Sequence, residues 1–302
     1  MIAKFLSLNE ELKNRIFINL GSRILGTLIF SILPIFLSNF YSNSVTGVIV
    51  LLTIISAILG NFIGGSLSTG NIKKSIFNFK IMETALIVLM LLSIKFNMIY
   101  IFIPGLISFN FFSNLRGPLL DVVLFQNIKP DDKETVMYIS YWFENISVAI
   151  SYFMIGIFFK TDMFKLLLAG LVINFFLIVY IYVFMKSTRS NNVLMKKNEK
   201  NIFKGYYGVI KNKRFISYIM GSSLIVMVEL QIGNYFSILF KDNFPNINEP
   251  DISGIQILSI INIINTVITI IVPIFMSWQI KKNSSFQITM YIYIFHMYVS
   301  VI

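Results

Sequence analysis

Long apolar runs dominate the pattern along the chain, and only short polar stretches separate most of them. A helix needs about 20 residues to cross the roughly 30 Å hydrocarbon core of a bilayer. In lipid, backbone polar groups are satisfied only in helices or closed barrels, and these runs lack the alternating polarity of barrel strands. The pattern therefore predicts membrane-spanning helices at 15–40, 44–68, 78–95, 98–126, 136–160, 163–185, 215–240, 255–280 and 286–302.

Composition supports this interpretation and narrows the chemistry. Of the 302 residues, 56% are hydrophobic and 13% are charged, whereas about 25% of a soluble domain is charged. Cysteine is absent and His296 is the single histidine, which excludes disulfides and Cys-based metal sites. The predicted spans contain no Ser/His or His/Glu metal pattern, so we expect no enzymatic activity, no metal and no cofactor.

The net charge of +11 follows from topology. If the N-terminus is cytoplasmic, most of the 25 basic residues fall on the cytoplasmic side. The outer loops then hold only Lys95, Lys160, Lys165 and Lys241. This is the bias of the positive-inside rule. We therefore expect a multi-pass protein of a bacterial-type plasma membrane, with a cytoplasmic N-terminus and no nucleic-acid partner.

The loops divide the chain into four parts. Residues 1–14 form a cytoplasmic segment, 15–185 a six-helix bundle, 186–214 a basic cytoplasmic linker, and 215–302 a partial second bundle. Weak matches recur at an offset of about 200 residues, a parallel repeat typical of two-halved transporters. Such a repeat predicts a complete protein of about 400 residues, so the second half is expected to lack about three spans.

Three passages carry a family resemblance. Residues 65–74 read GSLSTGNIKK, in which Gly65, Leu67, Lys73 and Lys74 fit a family loop pattern, while Thr69 replaces its Asp. The other passages are NLRGP at 114–118, followed by IKPDDK at 128–133, and the Tyr/Tyr/Asn pattern at 138, 141 and 145. The chain resembles the major facilitator superfamily (MFS), and in particular its drug/proton antiporters.

The resemblance implies an all-α, polytopic helical bundle with a complete six-helix N-terminal half and a partial C-terminal half. It further implies secondary transport, first of all proton-coupled export of small hydrophobic compounds. The expected partners are the bilayer, a small-molecule substrate and H⁺, and the oligomeric state stays open. Two alternatives remain: an uptake permease for a sugar, peptide or siderophore-like solute, and a truncated, non-transporting remnant.

Ionisable residues within the spans are the candidate site residues, because burying charge in a membrane is expensive. Arg116 lies about 15 Å and Glu144 about 12 Å from the inner ends of their spans at 1.5 Å per residue. We expect these two to pair near the midplane, with Arg23 competing for Glu144 and Asn145 beside it. The pair is interpreted either as a proton-linked switch or anion anchor, or as a fixed structural ion pair.

Further candidates are expected above and below the membrane midplane. Glu83 and Asp121 are expected within reach of Lys73, Lys74 and Lys80, as anchors of an inner gate. In the seventh span, Glu229, Gln231 and Asn234 recur at helical steps of two and three. They are interpreted either as a cavity wall contributed by the second half or as a wet outer end.

Overall fold

The computed structural model describes residues 5–67, 70–129, 132–156, 162–186, 211–224 and 254–279. These residues form helices and contain no β-strand, which confirms the all-α prediction. A helical segment also covers 213–224. Eight longer or better-bounded helices are α1 Glu10–Phe30, α2 Leu33–Ser38, α3 Asn43–Ser66, α4 Ile72–Lys95, α5 Ile99–Asn127, α6 Lys133–Met154, α7 Met163–Phe184 and α8 Gly254–Gln279.

Four stretches are long and apolar enough to cross a membrane: Glu10–Ser38, Asn43–Ser66, Ile72–Lys95 and Met163–Phe184. The α5 and α6 helices are more polar but have comparable lengths, 29 and 22 residues. On α7, Phe175, Phe176 and Tyr182 point outward and stay exposed. An outward apolar face of this kind suits contact with lipid.

The first predicted span is broken in the structure. The α1 helix ends at Phe30 and α2 begins at Leu33, with Pro34 in its first turn. Proline has no backbone N–H, so Pro34 cannot bond the carbonyl of Phe30 and an unbroken helix is disfavoured. The two helices together still form one membrane-length element.

Helix pairing produces one six-span bundle. The α1 helix is central and packs against α5, α6 and α7, while α3 and α4 pack against α5 and α4 also packs against α7. The α8 helix packs against α6. This arrangement confirms the predicted six-span first bundle, with α8 packed beside it. We call one end of the bundle the base: the end where α1, α4 and α6 begin and where α3, α5 and α7 end.

Glycines allow α3 and α5 to cross closely. A Cβ atom on Gly60 would collide with the carbonyl oxygen of Phe111, and one on Gly64 with that of Leu115. Both obstacles are backbone atoms, so no side-chain rotation would relieve the clash. The Gly60–Gly64 spacing is the small-xxx-small pattern by which membrane helices approach each other. This crossing fixes the position of α5, which carries Arg116.

Candidate functional site

A buried group of charges joins α4 and α5 halfway through the bundle. Arg116 Nη1 donates to Glu83 Oε1 at 2.9 Å, and Lys80 Nζ donates to Glu83 Oε2 at 2.6 Å. The Lys80 and Glu83 side chains are fully buried, and that of Arg116 is 8% exposed. Measured along their helices, Glu83 and Arg116 each lie about 16 Å from the base. Their matching depth allows the two helices to bring them together at the midplane.

An amide from α7 completes this group. Asn174 is fully buried, and its Oδ1 accepts a hydrogen bond from Lys80 Nζ at 2.9 Å. Its Nδ2 donates to the Lys80 carbonyl at 3.1 Å and to Thr84 Oγ1 at 2.9 Å. The Asn174 side chain therefore ties α7 to α4 through two residues. We call Lys80, Glu83, Thr84, Arg116 and Asn174 the buried charge cluster.

The predicted pairing of Arg116 with Glu144 is wrong in this structure. Arg116 faces Glu83 because α5 packs against α4, while α6 packs against α1. Glu144 instead accepts a hydrogen bond from Asn19 Nδ2 at 2.8 Å. Arg23, the expected competitor, is exposed on α1 and takes part in none of the ion pairs found among the described residues.

Glu144 belongs to a second polar group, which follows the contact between α1 and α6. Arg15 Nη1 donates to Ser140 Oγ at 3.0 Å, and Arg15 Nη2 donates to Asp121 Oδ1 at 3.1 Å. Asn19 and Glu144 lie four residues further along their respective helices, which places the two contacts on one face of each helix. We call Arg15, Asn19, Asp121, Ser140 and Glu144 the polar seam.

Neither of the two acids expected at an inner gate has the surroundings predicted for it, since Glu83 lies at the midplane and Asp121 has a different partner. Glu83 contacts Lys80, one of its three expected partners. Asp121 pairs with Arg15 rather than with Lys73, Lys74 or Lys80, because α5 presents it to α1. The Asp121 side chain is 55% exposed, so this ion pair is screened much more than the buried one.

Asn145 lies beside Glu144 in sequence, but its amide is used within its own helix. Its Nδ2 donates to the Tyr141 carbonyl at 2.9 Å. This bond holds the amide against the backbone of α6. Its place among the substrate-binding candidates stays a prediction.

The loop that carries the family-like pattern lies at the base. Gly65 is in the last turn of α3, Leu67 follows it, and 68–69 lie outside the described residues. Lys74 donates its backbone N–H to Asn71 Oδ1 at the start of α4 and leaves its side chain exposed. Lys73 reaches across to α7, where its Nζ donates to the Tyr182 carbonyl at 2.9 Å.

Lys73 thereby joins residues of α1 in holding the end of α7. Asn14 Nδ2 donates to the Phe184 carbonyl at 3.0 Å, and Glu11 Oε1 accepts from the backbone N–H of Lys186 at 3.2 Å. The last carbonyls of a helix lack partners within the helix and need donors from elsewhere. Side chains from α1 and α4 satisfy two of them here, which fixes α7 at the base.

Three candidates for the substrate cavity belong to the predicted seventh span. Glu229, Gln231 and Asn234 lie outside the described residues, so their proposed role in a cavity wall stays a prediction. Among the described residues, no group of three or more His, Cys, Asp or Glu side chains could hold a metal ion.

Sequence reasoning identified the acids of both groups and Arg116, and it named Lys80 as a partner. It missed Arg15 and the four polar members, Asn19, Thr84, Ser140 and Asn174. Asn174 is the lone amide in the apolar run of α7, and a single buried amide in such a run usually has a specific partner. The isolated amide therefore marks Asn174 in the sequence as a residue with a partner in the bundle. Asn19 is less conspicuous, because α1 carries several polar residues.

Comparison with known proteins supplies the fold. No family model and no curated protein matches the chain. A solved structure of a peptide transporter, POT, in complex with sulfate matches with a TM-score of 0.60 and 12% sequence identity. The match covers 91% of this chain and 70% of that one. The bundle therefore has the MFS fold, while the drug/proton antiporter subtype stays a prediction.

Proposed function

We propose that this chain is a secondary transporter that couples protons to the movement of a small molecule. Export of small hydrophobic compounds is the first candidate. The observation that carries the proposal is the position of Glu144, a partly exposed carboxylate about 16 Å from the base of a bundle with a transporter fold. Ionisable groups at such depth are functional candidates by default.

The described contact of Glu144 is a neutral hydrogen bond and not an ion pair. Its hydrogen-bond donor is the neutral amide of Asn19, and no ion pair in the described part of the chain includes it. A proton can therefore bind without breaking an ion pair. Protonation would also remove the charge that makes a membrane-buried carboxylate expensive.

The buried charge cluster is proposed to supply the second half of the coupling. Arg116 sits at the edge of the cluster, and its Nε is buried without a hydrogen-bond partner in the described structure. An arginine held through one nitrogen has a single hydrogen bond to break when it exchanges partners. We propose that Arg116 and Glu144 act together in charge coupling, through a conformation other than the one described.

Uptake of a polar solute, such as a sugar or peptide, is the second candidate. The polar seam favours it, because hydroxyl, amide and ionised groups lie together along the contact of α1 and α6. These groups offer both donors and acceptors to a polar ligand. A hydrophobic substrate would use few of them.

We propose that the base faces the cytoplasm of a bacterial-type cell. Exposed or partly exposed lysines gather there, among them Lys73, Lys74, Lys129, Lys133 and Lys186. The opposite end of the bundle carries two among the described residues, Lys95 and Lys165. This asymmetry agrees with the positive-inside rule.

Transport by whole cells tests the proposal. Cells expressing the chain are loaded with a fluorescent lipophilic cation, and efflux is followed with and without a proton uncoupler. We expect uncoupler-sensitive efflux that Glu144→Gln abolishes. Glu10→Gln is the matched control, because this exposed carboxylate lies at the base, and it should retain efflux.

The same cells are then given a labelled dipeptide. Proton-driven dipeptide uptake without cation efflux would favour the second candidate over export. If the protein is present in the membrane and neither compound moves, a non-transporting remnant becomes the better account.

A further inference from the structure

We propose that Lys80 binds and releases a coupling proton inside the buried charge cluster. The inference rests on the proposed function, since coupling presupposes proton-linked transport, but Lys80 was not among the sequence candidates for coupling. Its chemistry can be tested without any substrate.

The charges of the cluster do not balance when Lys80 is protonated. Lys80 and Arg116 then share the single carboxylate of Glu83, so the cluster carries one surplus positive charge. An unpaired charge without water contact is strongly unfavourable. Loss of the proton from Lys80 leaves Arg116 and Glu83 as a balanced pair. The cluster therefore alternates between a net charge of +1 and zero.

The hydrogen bonds of Lys80 are compatible with both protonation states. An ammonium has three N–H donors, and in the described structure Lys80 Nζ has two acceptors, Glu83 Oε2 and Asn174 Oδ1. A neutral amine has two N–H groups, which match these two acceptors. Asn174 keeps its oxygen toward Lys80 because its nitrogen is already engaged by the Lys80 carbonyl and Thr84. Proton loss therefore leaves no acceptor in this contact unsatisfied.

Groups on the neighbouring helices determine how readily Lys80 holds its proton. Glu83 on α4 attracts the charge of Lys80, Arg116 on α5 repels it, and α7 contributes the neutral Asn174. If Arg116 leaves Glu83, both the repulsion and the competition for that carboxylate disappear. Departure of Arg116 therefore favours proton uptake by Lys80, and its return favours release.

The α5 helix is continuous but contains a proline next to Arg116, where it can bend. Pro118 lies inside the helix, two residues after Arg116. It lacks the N–H that would bond the carbonyl of Asn114, and such positions are common sites of helix bending. A change of bend at this point would shift the guanidinium relative to Glu83. The proton on Lys80 would then be linked to the conformation of α5.

The test measures thermal unfolding of the purified full-length chain across a pH series. We expect the midpoint to fall as pH falls over the range in which Lys80 is protonated in the unfolded chain but neutral in the folded cluster, because folding must then expel that proton. Below this range the slope due to Lys80 should vanish. The slope for one proton is on the order of 3 °C per pH unit. Lys80→Gln keeps N–H donors without the charge, and Lys80→Arg is permanently charged. Both should lose this component of the slope, and Lys74→Gln, an exposed control on the same helix, should keep it.

Two outcomes would overturn the inference: a Lys80→Gln protein that retains the wild-type slope, or no wild-type slope for a substitution to remove. If Lys80→Gln does not fold, the same criterion applies to Lys80→Arg: a wild-type slope in that variant would overturn the inference. Proton-driven transport by the wild type with unchanged slopes would refute the role of Lys80 and leave the proposed function intact. A slope lost in both variants without any proton-driven transport would support proton binding by Lys80 and refute coupling.

Discussion

Arg116 on α5 donates to Glu83 on α4 at 2.9 Å, while Lys80 takes the other oxygen of the same carboxylate at 2.6 Å. One acid thus holds two bases in the centre of a six-span bundle. The three charges are therefore not equivalent. Removing the acid leaves two cations without a counter-charge, whereas removing either cation leaves a balanced pair. This asymmetry gives the first prediction.

Glu83→Ala should destabilise the protein far more than Arg116→Met. Breaking a buried pair by removing one partner costs about 3–5 kcal/mol, and Glu83→Ala leaves both Lys80 and Arg116 without a counter-charge. Arg116→Met leaves Lys80 and Glu83 paired and replaces the arginine with an apolar chain. The unfolding midpoint of each purified variant measures the difference. Equal losses would show that the charges are not organised around Glu83.

Gly64→Ala should weaken the crossing of α3 and α5. The added methyl group meets the carbonyl oxygen of Leu115, and overpacking of this kind costs about 1–3 kcal/mol. Gly47→Ala is the matched control in the same helix, because nothing lies within 4 Å of the new Cβ. A thermal scan of both variants checks the prediction. A Gly64→Ala protein as stable as Gly47→Ala would contradict the close crossing.

Asn174→Leu should also destabilise the bundle, although it places an apolar side chain in an apolar helix. It removes an acceptor for Lys80 and a donor to Thr84 and to the Lys80 carbonyl. Leaving buried polar groups unsatisfied costs about 1–3 kcal/mol each. The exposed Asn78 supplies the control, and Asn78→Leu should leave the midpoint nearly unchanged. A stabilised Asn174→Leu protein would mean that the amide serves no structural purpose.

Among the described residues, the apolar pattern predicted the spans well but not which helices are neighbours. The predicted span 286–302 and most of 215–240 lie outside these residues and stay predictions. The predicted 98–126 span matches α5, because a membrane-length apolar run has few alternatives to a helix. Helical periodicity shows which residues share a face but not which helix that face meets. Depth along the helices therefore pairs Arg116 with Glu144 on α6. The packing of α5 instead brings Arg116 to Glu83 on α4. The break before α2 occurs at Pro34. Membrane helices often tolerate proline without a break, so the sequence alone did not predict one.

Orientation can be tested with single cysteines, because the native chain has none. Lys74 and Lys95 lie near opposite ends of α4, and both side chains are exposed. Lys95→Cys should react with a membrane-impermeant thiol reagent added to intact cells. Lys74→Cys should react only after the membrane is opened. The reverse pattern would place the base outside the cell and contradict the positive-inside assignment.

The central claim is that substrate movement and proton movement are linked through Glu144. The most direct measurement uses proteoliposomes that enclose a pH-sensitive dye, to which a gradient of the transported compound is applied. The account predicts that the substrate gradient drives a proton flux in the wild type. Glu144→Gln should lose this flux while still passing substrate down its gradient. Substrate movement without proton flux in the wild type, or an undiminished flux in Glu144→Gln, would contradict it.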